Sequence, residues 1–139
     1  MKYIVFFLLL SFNLSASTIS AEEKIYASVL HALFPAKENI VVWSDDPKKE
    51  QIFSSISHVI VTDTKERADI LFLFHTFHIK SKKPKFVGSY VLLKHYKDDA
   101  IGGFYWQKGR PNLLFLRKNL LKQGLRVENS LQKYVEDSF

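Results

Sequence analysis

The stretch "DILFLFH", residues 69–75, is a continuous run of apolar side chains between an aspartate and a histidine. An apolar run of four to eight residues without polar alternation is typical of a strand that is buried on both faces. Such strands belong to parallel sheets, because crossover connections cover both sides of the sheet. Two shorter runs of the same character precede it, "NIVVWS" at residues 39–44 and "HVIVTD" at residues 58–63. Together the three runs predict neighbouring strands of a mainly parallel sheet.

Helical segments alternate with these strands. Residues 22–34 place apolar side chains at helical spacing, and Pro35 ends the helix. Asp46 suits the N-cap of a second helix, with Pro47 at its first position. Residues 64–68 predict a single helical turn. Strands that alternate with helices indicate an α/β fold with helices on both faces of the sheet.

The C-terminal half predicts more strands and a hairpin. "FVGSY", residues 86–90, predicts a fourth strand, followed by a short helix or turn. "AIGGFYW" and "NLLFL" predict two antiparallel strands joined by the turn "QKGRP". A helix ending at Gly124 and a last helix over residues 128–139 complete the chain. The predicted fold is a three-layer Rossmann-like sandwich, whose mainly parallel sheet is closed by a C-terminal antiparallel hairpin.

The N-terminus has the features of an export signal. A short basic start precedes the apolar residues 4–10, and small and polar residues continue to Ala21. This order predicts a secretory signal peptide, residues 1–21, cleaved after Ala21, and a single domain over residues 22–139. The alternative is a membrane anchor, for which Ser11 and Asn13 interrupt the apolar run too early. The chain has no cysteine, so its core alone must stabilise it, and we expect a periplasmic location.

The basic composition indicates either an anionic partner or, in better agreement with the spread of the lysines, charge that keeps the protein soluble. The formal net charge is +6, and the lysines are scattered along the chain. The densest basic cluster is flanked by Phe77 and Phe86 and comprises Lys80, Lys82, Lys83 and Lys85. Nucleic-acid surfaces combine basic and aromatic residues in this way, but export argues against nucleic acid as a partner. An anionic cell-envelope component and a merely solvated loop are the two remaining interpretations.

Motifs for catalysis and metal binding are missing from the sequence. Ser89 follows Gly88, but a nucleophile elbow requires Gly-x-Ser-x-Gly, and no glycine-rich phosphate loop occurs. His75 and His78 would point to opposite faces of a strand and lack an obvious third ligand. The paired carboxylates at residues 45–46 and 98–99 suit helix caps better than acid–base chemistry. We therefore predict a protein that is not an enzyme and holds no metal or cofactor.

Two candidate binding regions follow from the predicted fold. Ligands in open α/β sheets bind beyond the carboxyl ends of the parallel strands. The predicted ligand-binding residues at those ends are Ser44, Asp45, Asp63, His75, Gly88, Ser89 and Tyr90. The predicted partner-binding residues lie on the hairpin and are Phe104, Tyr105, Trp106 and Arg110. Strand alternation places Phe104 and Trp106 on one face and Tyr105 on the other, so that one face packs in the core and the other is free for a partner or a homodimer contact.

Residues 100–137 resemble the C-terminal part of the YfiR-like family of periplasmic regulatory proteins. The matching positions are Gly102-Gly103, Lys108-Gly109-Arg110, Phe115, Asn119-Leu120-Leu121, Gly124-Leu125 and Ser130-Leu131. The resemblance implies a Rossmann-like periplasmic domain, often dimeric, that acts as a small signalling partner. The family includes a regulator that binds the sensor part of an inner-membrane diguanylate cyclase and holds it inactive. The aromatic run at residues 104–106 departs from the family's aliphatic strand, and the missing cysteines exclude redox control.

We therefore expect an exported, non-catalytic regulatory or sensory module. Its expected partner is an inner-membrane signalling protein with a periplasmic cyclase or kinase sensor. The alternative is a small periplasmic solute-binding or transport-associated protein. Periplasmic binding proteins usually have two lobes, and this chain is long enough for one. A hydrolase is the third and least supported interpretation, because its motifs are missing.

Overall fold

A computed structural model describes residues 21–139, so the predicted signal peptide lies outside the described residues apart from Ala21. Helix α1 occupies residues 21–33, and Pro35 follows its end. The strands are β1 (Ile40–Ser44), β2 (Val59–Val61), β3 (Ile70–Leu73), β4 (Lys85–Val87), β5 (Gly102–Gln107), β6 (Arg110–Leu116) and β7 (Val135–Glu136). The other helices are α2 (Pro47–Ser54), α3 (Tyr90–His95) and α4 (Arg117–Lys122), with 3-10 helices at Lys65–Arg67 and Asn129–Tyr134.

All seven strands form one sheet in the order β2-β1-β3-β4-β5-β6-β7. Strands β1 to β5 pair in parallel with one another. Strand β6 runs antiparallel to β5, and β7 runs parallel to β6. The predicted α/β sandwich with a mainly parallel sheet and a C-terminal hairpin is therefore confirmed.

The sheet separates two hydrophobic clusters. On one face, Tyr26 of α1 and Phe53 of α2 pack against Phe72 of β3 with ring centroids 4.4–5.6 Å apart. On the other face, Leu71 and Leu73 pack with α3 and with the segment that connects β3 to β4. All four residues of β3 are buried, because both faces of this strand are covered. Burial on both faces explains why the sequence of β3 is an unbroken apolar run.

The hairpin between β5 and β6 is tighter than the sequence predicted. Gln107 pairs with Arg110, which leaves only Lys108 and Gly109 in the turn. Both residues have positive φ, 53° and 74°, as a type I′ turn requires. Glycine adopts this conformation without steric cost, so Gly109 determines the turn. The tight turn fixes the register between β5 and β6. The fixed register in turn determines where the aromatic residues of β5 lie.

Two element predictions are wrong. Strand β4 ends at Val87, and Tyr90 begins α3 instead of ending the strand. The predicted last helix is a 3-10 helix followed by the two-residue strand β7. The N-cap residue of this 3-10 helix, Glu128, makes no capping bond with its side chain, whereas β6 offers free backbone groups along Phe115 and Leu116. Pairing with that open edge satisfies the backbone of the C-terminal segment better than a short uncapped helix does.

Across residues 21–139, none of the helices combines the length and the apolar composition that a membrane span requires.

Candidate functional site

Asp45 follows β1 and organises the carboxyl edge of the sheet. Its two carboxylate oxygens accept three backbone N–H groups, from Phe74 at 2.8 Å, His75 at 2.9 Å and Thr76 at 2.8 Å. These residues begin the long segment between β3 and β4. The Asp45 carboxylate therefore fixes the direction in which the chain leaves β3, and its lone pairs are largely occupied.

Asp46 caps α2, as the sequence predicted. Its Oδ1 accepts the N–H groups of Lys48 and Lys49 at 2.8 and 3.3 Å. Its Oδ2 lies 2.9 Å from Nε2 of the exposed His75 ring. Burial opposes ionisation, but the bonds from His75, Lys49 and Lys48 outweigh it and lower the pKa of Asp46 below its usual value. The buried Ser44 hydroxyl accepts the N–H of Asp46 at 3.2 Å, so its oxygen is also engaged within the chain.

Residues 88–90 connect β4 to α3 and have structural roles of their own. A Cβ atom on Gly88 would lie 2.2 Å from the Phe74 ring, so only glycine leaves space for that ring. Ser89 is the N-cap of α3, and its Oγ accepts the N–H of Leu92 at 3.1 Å. Tyr90 is exposed and contacts Phe139, with ring centroids 5.5 Å apart. The structure thus places Ser44, Asp45 and His75 together at one edge, with Gly88 beside the same loop through Phe74.

Asp63 lies apart from these residues, beside β2, which is an edge strand of the sheet. It lines a shallow depression of 670 Å³ together with Ile60, Thr62, Glu50 and Arg67. Ile60 is half exposed at this edge. Ligand binding by the seven predicted residues stays a prediction.

Lys85 is the functional candidate whose environment differs most from the prediction. Its side chain is fully buried, so its assignment to a basic surface cluster is wrong. The ammonium donates to the carbonyl oxygens of Ser81 and Lys83 at 2.6 and 3.4 Å and lies 2.7 Å from Asp99 Oδ2. Asp99 therefore pairs with a buried cation and does not cap a helix. The sequence signal for its burial is that Lys85 follows Pro84 and begins β4, whose other residues, Phe86 and Val87, are apolar.

Three further side chains hold the segment between β3 and β4. The Tyr96 hydroxyl donates to the Thr76 carbonyl at 2.8 Å and accepts the N–H of Ile79 at 3.2 Å. Burial raises the pKa of Tyr96, which keeps this hydroxyl protonated. The His95 ring lies 2.5 Å from the carbonyl oxygen of Phe77, and the Gln123 amide donates to the Lys82 carbonyl at 3.0 Å. The segment has little regular secondary structure, yet it is fixed along its length.

The aromatic residues of β5 alternate between the two faces as predicted. Phe104 and Tyr105 are buried on opposite faces, so the prediction that one face is free is wrong at these two residues, whereas Trp106 is 65% exposed. The Phe104 ring lies 6.0 Å from Tyr26 of α1 and 6.2 Å from Trp106. Arg110 is exposed on the paired strand, opposite Gln107. Trp106 pairs with Pro111 and Arg110 pairs with Gln107, so the exposed indole and the cation lie on opposite faces of the hairpin.

His75 and His78, which the sequence analysis weighed as metal ligands, face different neighbours. His75 contacts Asp46, whereas the His78 ring packs against His95 at 5.6 Å. In the part of the chain that the structure describes, no three His, Cys, Asp or Glu side chains group closely enough to hold a metal ion. Compared with models of protein families and with curated proteins, the chain matches none.

Proposed function

We propose that the protein is an exported, non-catalytic regulatory module, similar to YfiR-like proteins, that binds a membrane signalling protein. The expected partner carries a periplasmic sensor part coupled to a diguanylate cyclase or a kinase. The exposed Trp106 supports this proposal most directly. An indole that is 65% exposed leaves a large apolar surface in water, and tryptophan is among the residues that most often anchor protein interfaces.

The surroundings of Trp106 favour binding because they are rigid. The indole contacts Phe104, which contacts Tyr26 in the core. The type I′ turn at Lys108 and Gly109 fixes the strand end that carries it. An anchor that is held in place before binding loses little conformational entropy on binding, so more of its contact energy contributes to affinity.

The carboxylates of the sheet favour binding over catalysis. A general base needs a free lone pair within reach of its substrate. Asp45 already accepts three backbone N–H groups, and Asp46 caps α2. Asp69 binds the Lys37 ammonium at 2.7 Å and the N–H of Val41 at 2.8 Å. Each of these acidic groups is engaged in shaping the fold.

Capture of partners from solubilised bacterial membranes tests the proposal. We expect the wild-type protein to retain a membrane signalling protein, and Trp106→Ala to weaken its retention at least tenfold. Leu121→Ala is the matched control, because Leu121 is an apolar residue of α4 that is 71% exposed. Equal retention by wild type and Trp106→Ala, or no retained membrane protein at all, would refute the proposed role. If Trp106→Ala instead abolishes self-association, the surface is a homodimer contact.

Solute binding is the second candidate function, and the depression beside β2 favours it. Asp63 and Arg67 line this depression and offer opposite charges to a polar or zwitterionic solute. A screen of small solutes by thermal melting tests this candidate. A solute that binds in the depression should raise the melting temperature of the wild type but not that of Asp63→Asn. A solute that stabilises both proteins equally would not use this depression.

A further inference from the structure

Lysines from three segments form a single basic surface. Three belong to the segment between β3 and β4, two to the end of α3 and the residues that follow it, and one to the end of α4; the six are Lys80, Lys82, Lys83, Lys94, Lys97 and Lys122. The Gln123 amide bonds to the Lys82 carbonyl at 3.0 Å, and Lys122 Nζ bonds to the Asp98 carbonyl at 3.1 Å. These contacts bring the end of α4 against both other segments. We call these six residues the basic surface.

The basic surface has few carboxylates to balance it. The acidic residues on these segments are Asp98 and Asp99, and Asp99 is paired with the buried Lys85. Asp137 lines a depression with Lys97 and Asp98, but it is paired with Arg117. The six lysines therefore outnumber the nearby carboxylates that are not already paired with another cation. A local charge excess of this size creates a potential that attracts extended anionic partners.

The backbone that carries these lysines is fixed. Lys85 holds the carbonyls of Ser81 and Lys83, and the Tyr96 hydroxyl holds Thr76 and Ile79. A segment that only connects two strands and keeps the protein soluble needs no such support. Since the lysines are held on a fixed frame, the surface is formed before any partner arrives.

Apolar side chains are exposed on the same layer. Phe77 is 40% exposed and packs against His95 at 5.3 Å, and Val91 on α3 is 61% exposed. Lysines around exposed aromatic and aliphatic groups match the boundary of a bilayer. There the ammonium groups reach anionic head groups, while apolar groups contact the upper part of the acyl chains.

We infer that the basic surface docks this protein on anionic phospholipid membranes. Lysines near such a membrane each contribute about fivefold to affinity, so several together are needed for stable attachment. The inference concerns a different side of the molecule from Trp106. Membrane docking can therefore be tested independently of the protein partner proposed above. By holding the module at the membrane, it would bring the module close to that partner.

Cosedimentation with lipid vesicles tests the inference. Wild type should bind vesicles of phosphatidylglycerol and phosphatidylethanolamine much more tightly than vesicles of phosphatidylcholine. The triple variant Lys80→Gln, Lys82→Gln, Lys83→Gln should lose on the order of 100-fold in affinity for the anionic vesicles. Phe77→Ala should weaken binding several-fold without removing the preference for anionic lipid.

The matched control removes three exposed lysines elsewhere, Lys24→Gln, Lys48→Gln, Lys133→Gln, so the net charge changes equally. All proteins are purified in the same form from one host, so the N-terminal segment contributes equally to each. Equal losses in the two triple variants would overturn the inference, because binding would then depend on net charge alone. Equal binding of wild type to anionic and zwitterionic vesicles would also overturn it, as would binding to polyaspartate without binding to vesicles.

Discussion

The ammonium of Lys85 lies 2.7 Å from a carboxylate oxygen of Asp99, although Lys85 is fully buried and Asp99 is half exposed. A lysine ammonium has three donors, and each finds an acceptor here, in Asp99 and in the carbonyls of Ser81 and Lys83. A buried cation is tolerated only when it is paired and hydrogen-bonded in this way. The pair joins the start of β4 to the turn before β5 and supports the frame of the basic surface.

Removal of Asp99 leaves the buried ammonium without its counter-charge. We expect Asp99→Ala to lower the free energy of unfolding by about 1–3 kcal/mol, less than for a fully buried pair because Asp99 is partly screened by water. The double variant Lys85→Met, Asp99→Ala should lose clearly less than the sum of the two single changes. Urea denaturation of the four proteins measures this coupling. Additive losses would show that the two side chains stabilise the fold separately.

Asp45 should prove more important for stability than for ligand binding. Asp45→Asn replaces one carboxylate oxygen by an amide nitrogen, which donates and cannot accept a hydrogen bond, in a site where three backbone N–H groups converge. We expect a loss of about 2–4 kcal/mol in unfolding free energy. The exposed Asp63 is the control, and Asp63→Asn should change stability by less than about 0.5 kcal/mol. A thermal melt of each protein decides the comparison, which fails if Asp45→Asn melts like wild type.

Asp46 should contribute to acid sensitivity. Its pKa is lowered in the folded protein, so its charged form is stabilised by folding above the usual aspartate pKa of about 4. This stabilisation is lost as the pH falls through the lowered pKa, because the unfolded state then binds the proton more readily. Wild type should therefore lose more stability between pH 5 and pH 3 than Asp46→Asn, which keeps an N-cap but cannot titrate. Parallel slopes in urea midpoints at these pH values would contradict the prediction.

Gly88 should tolerate no larger residue while Phe74 keeps its position. In Gly88→Ala the new methyl group would lie 2.2 Å from the Phe74 ring, and moving the ring should cost about 1–3 kcal/mol. Phe74→Leu in the same chain should recover part of this loss, since leucine occupies less space. Melting temperatures of the single and double variants show whether the two positions couple. Without recovery, the glycine must be required for another reason.

The sequence by itself determined most of the fold, because the pattern of apolar and polar residues in each strand indicates which of its faces are buried. The apolar run of β3 predicted a strand covered on both faces, and Asp46 with Pro47 predicted the start of α2. Alternation alone placed Phe104 and Tyr105 on opposite faces of the sheet. These features depend on side-chain periodicity and local capping, which are properties of short segments.

Only the tertiary structure decided what each polar side chain binds. Lys85 belongs to a basic run in the sequence, yet it is buried because Asp99, 14 positions later in the chain, provides its counter-charge. Asp45 is next to a helix cap but holds backbone groups 29 to 31 residues away. Residues 135–136 form a strand rather than the predicted helix, because they pair with the edge of β6. Hydrogen bonds and ion pairs need partners that folding brings together from distant parts of the chain, so a short segment of sequence cannot predict them.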